Sequence, residues 1–183
     1  MLDPRLVGRR REGRVSRTHP DPRSRKVNAL QRAAIGAATG SALLLAAALA
    51  FQHLGGYAPC HLCLLQRWPH AIAVVLGLAT LVWPRRELAL LGALVMAAGA
   101  GIAAWHAGVE QGWWTGPTTC VAPDIAGLTP EQLLQRILDA PVTRCDEIAW
   151  SFLGLSMAAW NGLASAVLAL IWARGYASSS ASQ

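Results

Sequence analysis

Four long stretches of this chain carry no charged side chain, and nothing else about it limits the fold so strongly. They run 33–54, 68–84, 88–109 and 148–173. A helix needs about 20 apolar residues to cross roughly 30 Å of hydrocarbon. The first, third and fourth stretches, of 22, 22 and 26 residues, exceed that length. The second has 17 residues and lies at the lower limit. Trp68 and Trp83 stand at its ends, where aromatic belts form, and Arg67 and Arg85 can snorkel beside them. The expected fold is an all-α membrane protein, a bundle of four transmembrane helices. Charged residues are only 14% of the 183, against about 25% in a soluble domain, and the mean hydropathy is +0.34.

The net charge of +6 is a local property. Residues 1–32 hold ten Arg and Lys against three acids, while the other 151 hold six against seven. A nucleic-acid-binding reading of the whole chain is therefore weak. The layout expected is a disordered basic tail over 1–28, a membrane domain over 29–174 and a short tail over 175–183. The positive-inside rule keeps the basic tail in the cytoplasm. Arg85, Arg86 and Glu87 then make a tight cytoplasmic turn, and Arg174 follows the last span on the same side. The segment Glu110 to Glu147, with six acids and two arginines, faces outward together with 55–67. A cleaved signal peptide is the alternative for the first span, although 22 residues exceed a usual signal core. Either way the outer loops stay outside.

All four cysteines, Cys60, Cys63, Cys120 and Cys145, fall in or at the edge of those two outer loops. The first pair sits in Pro59-Cys60-His61-Leu62-Cys63-Leu64-Leu65-Gln66-Arg67-Trp68. Two cysteines separated by two residues can close a small, reversible disulfide. At the start of a helix their thiolates gain from its positive end. Arg67 follows Cys63 by four residues, on the same helical face, where a permanent cation favours the thiolate. The pair lies at headgroup height, within reach of a lipid-soluble quinone. A zinc site would use two closely spaced pairs, but 24 residues separate Cys120 from Cys145. Two purely structural disulfides remain an alternative, although a CxxC loop is too small to constrain the unfolded chain much.

Cys120 and Cys145 bracket an acidic loop open to a soluble partner, and Gly116-Pro117 marks an exposed turn before it. Exchange between the pairs requires only that a thiolate freed in one loop attack a sulfur of the other. Within this loop Thr129-Pro130-Glu131-Gln132 is a helix start with a capping box. Leu133, Leu134, Ile137 and Leu138 then share one face, so the segment can lie on a membrane surface or against the bundle. His106 closes the third span near the height of Arg67 and is a candidate hydrogen-bond donor to a quinone carbonyl. A structural hydrogen bond is the competing role, as it is for His53, His61 and His70. Trp68 is belt, packing or the border of such a site.

Three strings carry a resemblance. Phe51-Gln52-His53, Pro59-Cys60-x-x-Cys63 and Gln66-Arg67 are similar to the first outer loop and second span of the disulfide bond formation protein B (DsbB) family. Cys145-Asp146-Glu147, then Trp150 through Met157, then Trp160, resemble the start of that family's last span. The similarity covers about 33 to 173. It implies a quinone-dependent dithiol oxidase of the bacterial inner membrane, with both termini cytoplasmic and both cysteine loops periplasmic. It implies that Cys120 takes the attack of a reduced DsbA-like thioredoxin-fold partner, and that Cys145, once released, pairs with Cys60. Cys63 then becomes the thiolate that meets ubiquinone, or menaquinone, with Arg67 and His106 beside it; no metal is implied. Gln66 departs from members that carry an acid there, and the long basic tail is not part of the pattern. The rivals are an enzyme resembling vitamin K epoxide reductase, whose CxxC would open a late span, and a non-enzymatic scaffold whose cysteines stay oxidised.

Overall fold

The computed structural model describes residues 22–117, 129–139 and 144–180. In chain order it contains α1 (Pro22–His53), α2 (His61–Leu65), α3 (Arg67–Val82), α4 (Arg86–Glu110), α5 (Pro130–Asp139), β1 (Ser151–Phe152), β2 (Leu155–Ser156) and α6 (Met157–Ser180). Among the described residues four segments are long and apolar enough to cross a membrane: Ala29–His53, His61–Val82, Arg86–Glu110 and Met157–Ser179. α2 and α3 form the second of these, joined through Gln66, which keeps right-handed helical angles. The helices close a four-membered ring in which α1 packs on α3 and α6, and α4 packs on α3 and α6.

The distribution of side chains suits lipid. Leu43, Val75, Leu78, Leu94, Val167 and Leu170 face outward, which in water would leave extended apolar patches uncovered. Small residues fill the interior: Ala34, Ala37, Ala73 and Ala89 are fully buried around Met96, Leu168 and Trp172. Lipid tails are as apolar as leucine, so helices associate through close van der Waals contact, and small residues permit it. A Cβ on Gly77 would stand 2.4 Å from Ala38 Cβ, and one on Gly92 would stand 2.4 Å from the Trp172 indole. Both glycines therefore fix how near their helices can come.

Several boundaries differ from those read in the sequence. α1 begins at Pro22, within the stretch expected to be a disordered tail to residue 28; residues 1–21 lie outside the described residues. Proline suits the first helical position, and no glycine or further proline interrupts the chain before Gly36, so the helix extends at little cost once its membrane part exists. The fourth span begins at Met157 rather than 148 and continues to Ser180, into the expected tail. The cause is a hairpin between β1 and β2, with Ser151 opposite Ser156 and Phe152 opposite Leu155. Its two turn residues, Leu153 and Gly154, have φ of 51° and 77°, the paired positive angles of a tight hairpin turn. This hairpin is the one exception to an otherwise all-α architecture among the described residues. The Ser156 hydroxyl then accepts from the Ala159 N–H at 3.2 Å and starts α6.

In the second cysteine loop, α5 opens with reciprocal caps. Gln132 N–H donates to Thr129 Oγ1 at 3.3 Å, and Thr129 N–H donates to Gln132 Oε1 at 3.1 Å. Trp68 and Trp83 at the ends of α3 are both exposed, as belt residues are. Gly92→Leu is expected to destabilise the bundle by ~1–3 kcal/mol, because the Trp172 indole must move. Thermal unfolding in detergent checks this, and Trp172→Ala in the same chain should recover part of the loss. A Gly92→Leu protein as stable as its parent would mean that α4 and α6 are not in close contact.

Candidate functional site

The site is built on the short helix α2. Cys60 is its N-cap, extended at φ −74° and ψ 172°, and its sulfur accepts from the Cys63 N–H at 3.2 Å. One helical turn then brings the Cys60 and Cys63 sulfurs to 2.7 Å. Cys60 is buried and Cys63 half-buried. Sharing a hydrogen bond with Cys63, followed by burial, pushes the Cys60 thiol up to about 12, with His106 pulling the other way. Cys60 therefore keeps its proton at neutral pH when the pair is reduced.

Cys145 comes to the same place from the other loop. The sulfurs of Cys60 and Cys145 and a ring nitrogen of His106 all lie within 4.8 Å of one another. Burial pushes the Cys145 thiol up on balance, against the backbone N–H groups of Leu62 and His61 in the first turn of α2, which favour its thiolate. The segment around Cys145 is braced by Arg144, which holds Asp146 at 2.6 and 3.0 Å and reaches Glu147 at 3.5 Å. The Arg144 guanidinium keeps the exposed Asp146 carboxyl below the usual carboxylate range. Three donors this close also match the reach of a soft metal ion. Two of the three are sulfurs, and one of these, Cys60, also lies 2.7 Å from the Cys63 sulfur.

A cavity of about 230 Å³ opens beside the sulfurs. Leu44, Ala47, Ala48 and Phe51 of α1 make an apolar wall, facing Cys60, Cys63, Arg67 and His106. Arg67, half-buried, donates from Nη1 to Gln52 Oε1 at 2.8 Å, which anchors the cation to α1. His106 is 3% exposed. Its Nε2 lies 3.6 Å from the Cys60 sulfur and 3.9 Å from Glu110 Oε1, and its Nδ1 lies 2.7 Å from Gln66 Nε2. Glu110 also lines the cavity, buried, with Oε2 lacking a partner.

Of the residues singled out from sequence, Cys60, Cys63, Arg67 and His106 line this cavity, and Cys145 comes within 4.8 Å of Cys60 and His106. Cys120 lies outside the described residues. His61 and Trp68 are exposed, and neither lines the cavity. Sequence reasoning gave no role in the site to Gln52, which it quoted only within a family string, to Glu110 or to Asn161. Asn161 had a signal, being a polar residue within an apolar span. Glu110 read as one more acid of an outer loop, and only the last turn of α4 turns it inward.

The family model for Disulfide bond formation protein DsbB matches residues 31–174. A protein named Disulfide bond formation protein B from Stutzerimonas stutzeri is 32% identical over 148 residues, covering 72% of this chain and 85% of that relative. One of the same name from Methylococcus capsulatus is 37% identical, covering 65% and 77%. Disulfide bond formation protein B 2 of Pseudomonas aeruginosa is 32% identical, covering 68% and 77%. No solved structure matches significantly.

The high position of the Cys60 thiol gives a direct test. In the reduced protein, alkylation at pH 8 is expected to spare Cys60, whose reactivity should climb only as pH approaches about 12. Mass spectrometry of quenched time points reads this. Cys60 reacting as fast as an ordinary cysteine at pH 8 would contradict its burial against Cys63.

Proposed function

The chain belongs to the DsbB family of disulfide bond formation proteins, and on that premise we propose that it is a dithiol oxidase coupled to membrane quinone, serving a periplasmic DsbA-like thioredoxin-fold protein. The observation that carries this reading is that the Cys60–Cys63 pair and Arg67 line one apolar cavity while the Cys145 sulfur lies within 4.8 Å of Cys60. A soluble redox protein would have no reason to place a CxxC against an apolar cavity in a bundle whose outer face is leucine and valine.

The sulfur chemistry proceeds by exchange. The partner's thiolate attacks Cys120 of a Cys120–Cys145 disulfide, and Cys145 leaves as thiolate. Cys145 attacks Cys60, from which Cys63 leaves. The partner's second thiol resolves its mixed disulfide and departs oxidised, and Cys120 is left as a thiol. Cys63 is then the sulfur at the cavity, with Arg67 positioned to stabilise negative charge there. When the Cys60–Cys63 and Cys120–Cys145 bonds are restored, the chain has taken two electrons and two protons from the partner's dithiol and given them up.

The cavity suits a quinone ring. Its aliphatic wall would take the ring and the first part of an isoprenoid tail, the anchored Arg67 would face an oxygen, and Glu110, whose buried Oε2 lacks a partner, adds a polar group to the lining. When bound, the quinone supplies the oxidant and takes up both electrons and both protons to become the quinol. Ubiquinone and menaquinone both meet these requirements. The cysteine loops face the periplasm in this reading, both termini face the cytoplasm, and the membrane is the bacterial inner membrane.

Anaerobic stopped flow with ubiquinone and a reduced DsbA-like protein tests the proposal. One quinone reduced per partner disulfide formed is expected, with Cys63→Ser abolishing it. No reduction of either quinone, with all four cysteines remaining paired, would sink the proposal and leave a scaffold with structural disulfides. Arg67→Ala is expected to slow quinone reduction by an order of magnitude or more, as loss of a buried charge-assisted contact does, while leaving mixed-disulfide formation at Cys120 intact. Arg67→Lys should fall between, since lysine keeps the charge and loses the planar donor fork. Equal loss of both half-reactions in Arg67→Ala would refute this division of labour.

A further inference from the structure

Behind Cys60 lies an unbroken line of polar side chains that crosses three helices. The His70 Nε2 is 3.0 Å from Asn161 Oδ1 and 3.4 Å from Ser165 Oγ. Asn161 Nδ2 donates to Gln66 Oε1 at 2.7 Å, Gln66 Nε2 is 2.7 Å from His106 Nδ1, and His106 Nε2 is 3.6 Å from the Cys60 sulfur. Gln66, His70, His106 and Ser165 are all buried. In so apolar a bundle each of these groups must find its partner within the line.

Such a line has a sense. A carboxamide donates on one side and accepts on the other, so turning one amide alone sets donor against donor. The two amides must turn together, and whichever histidine nitrogen carries the proton at one end dictates the nitrogen that carries it at the other. The His70 end fixes the choice. Its Nδ1 is buried without a partner. A stranded N–H is rarer than a stranded lone pair, so the His70 proton belongs on Nε2, where Asn161 Oδ1 and Ser165 Oγ accept it. Asn161 then donates to Gln66, Gln66 donates to His106 Nδ1, and the His106 proton belongs on Nε2. The far end agrees independently, because His106 Nε2 faces two acceptors, the Cys60 sulfur and the Glu110 carboxylate.

We propose that Gln66, Asn161 and His70 are positioning residues that hold His106 as the tautomer whose Nε2–H points at the Cys60 sulfur. His106 is thereby a hydrogen-bond donor to the sulfur at the centre of the exchange, and in that tautomer its Nε2 has no lone pair with which to take the Cys60 proton. The inference deepens the function proposed above and rests on it only for its consequence in the reaction; the tautomer stands apart from it. The titratable groups facing Cys60 are Cys63 on α2, His106 and Glu110 on α4, and Cys145 ahead of β1, with Arg67 on the same cavity.

The test is nitrogen NMR on the reduced, full-length protein with ¹⁵N-labelled histidine rings, in detergent, with His106→Asn used to assign the signals. The expected result is an unprotonated Nδ1 and a protonated Nε2 for His106; the reverse overturns the proposal. Asn161→Asp offers no donor to Gln66 Oε1, so Gln66 must turn and the His106 proton should move to Nδ1. Cys60 reactivity toward a small thiol reagent, read at one fixed alkaline pH, should then fall about tenfold or more, the effect of losing one donor to a charged sulfur. If Asn161→Asp fails to fold, Gln66→Glu asks the same question one link later, since a carboxylate at 66 can only accept from Nδ1–H. A folded variant of either kind that keeps its proton on Nε2 and its reactivity unchanged also overturns the proposal. Neither readout uses quinone or a partner protein, so loss of quinone reduction alone would count against the proposed function and not against this one.

Discussion

The close approach of helices at small residues is the constraint on which the rest of this molecule depends. Gly77 against Ala38 and Gly92 against Trp172 set the spacing of α3 on α1 and of α4 on α6. No hydrophobic force holds helices together in hydrocarbon, so the contact itself must do so. With that spacing fixed, α4 delivers His106 to the start of α2, and α1 delivers Gln52 to Arg67. Distances of about 3 Å at the cysteines are inherited from packing well down the bundle, at side chains that take no part in the chemistry.

Much of this was legible in the sequence. Uncharged length marks four spans because a bilayer tolerates little else, and the capping box at Thr129 reads directly onto α5. The ends of spans were less legible. Residues 148–156 are as free of acid and base as a span, and only the paired positive φ angles at Leu153 and Gly154 turn them into a hairpin. The CxxC with its following arginine is a local pattern, so sequence could find it. The line from His70 through Asn161 and Gln66 to His106 is not local. Its members are separated by up to 95 positions in the chain, and nothing short of the folded bundle places them end to end. Glu110 shows the same limit, since one turn of helix decides whether an acid at a span's end faces water or the interior.

The site also illustrates how a helix start serves two sulfurs at once. The first turn of α2 has amides without helical partners. The Cys60 sulfur takes the one from Cys63, while Leu62 and His61 offer theirs to Cys145. A cysteine arriving from a distant loop is thus received by donors that the helix would otherwise leave to water.

The aromatic cluster at the hairpin has a consequence for concentration. Phe51 on α1 packs edge-on to Trp150 at 5.4 Å, Trp150 stacks on Phe152 at 6.1 Å, and Trp160 donates to the Phe152 carbonyl at 3.0 Å. The chain is therefore pinned to the bundle five residues after Cys145. Five extended residues reach no more than about 17 Å, which confines the Cys145 sulfur, even when undocked, to a small volume above Cys60. That is a local concentration on the order of 0.1 M. A free thiol in solution would have to approach the same molarity before it could intercept the exchange. The clasp thereby ties Cys145 to the neighbourhood of Cys60, and in the function proposed above it would make transfer between the two cysteine pairs an intramolecular event.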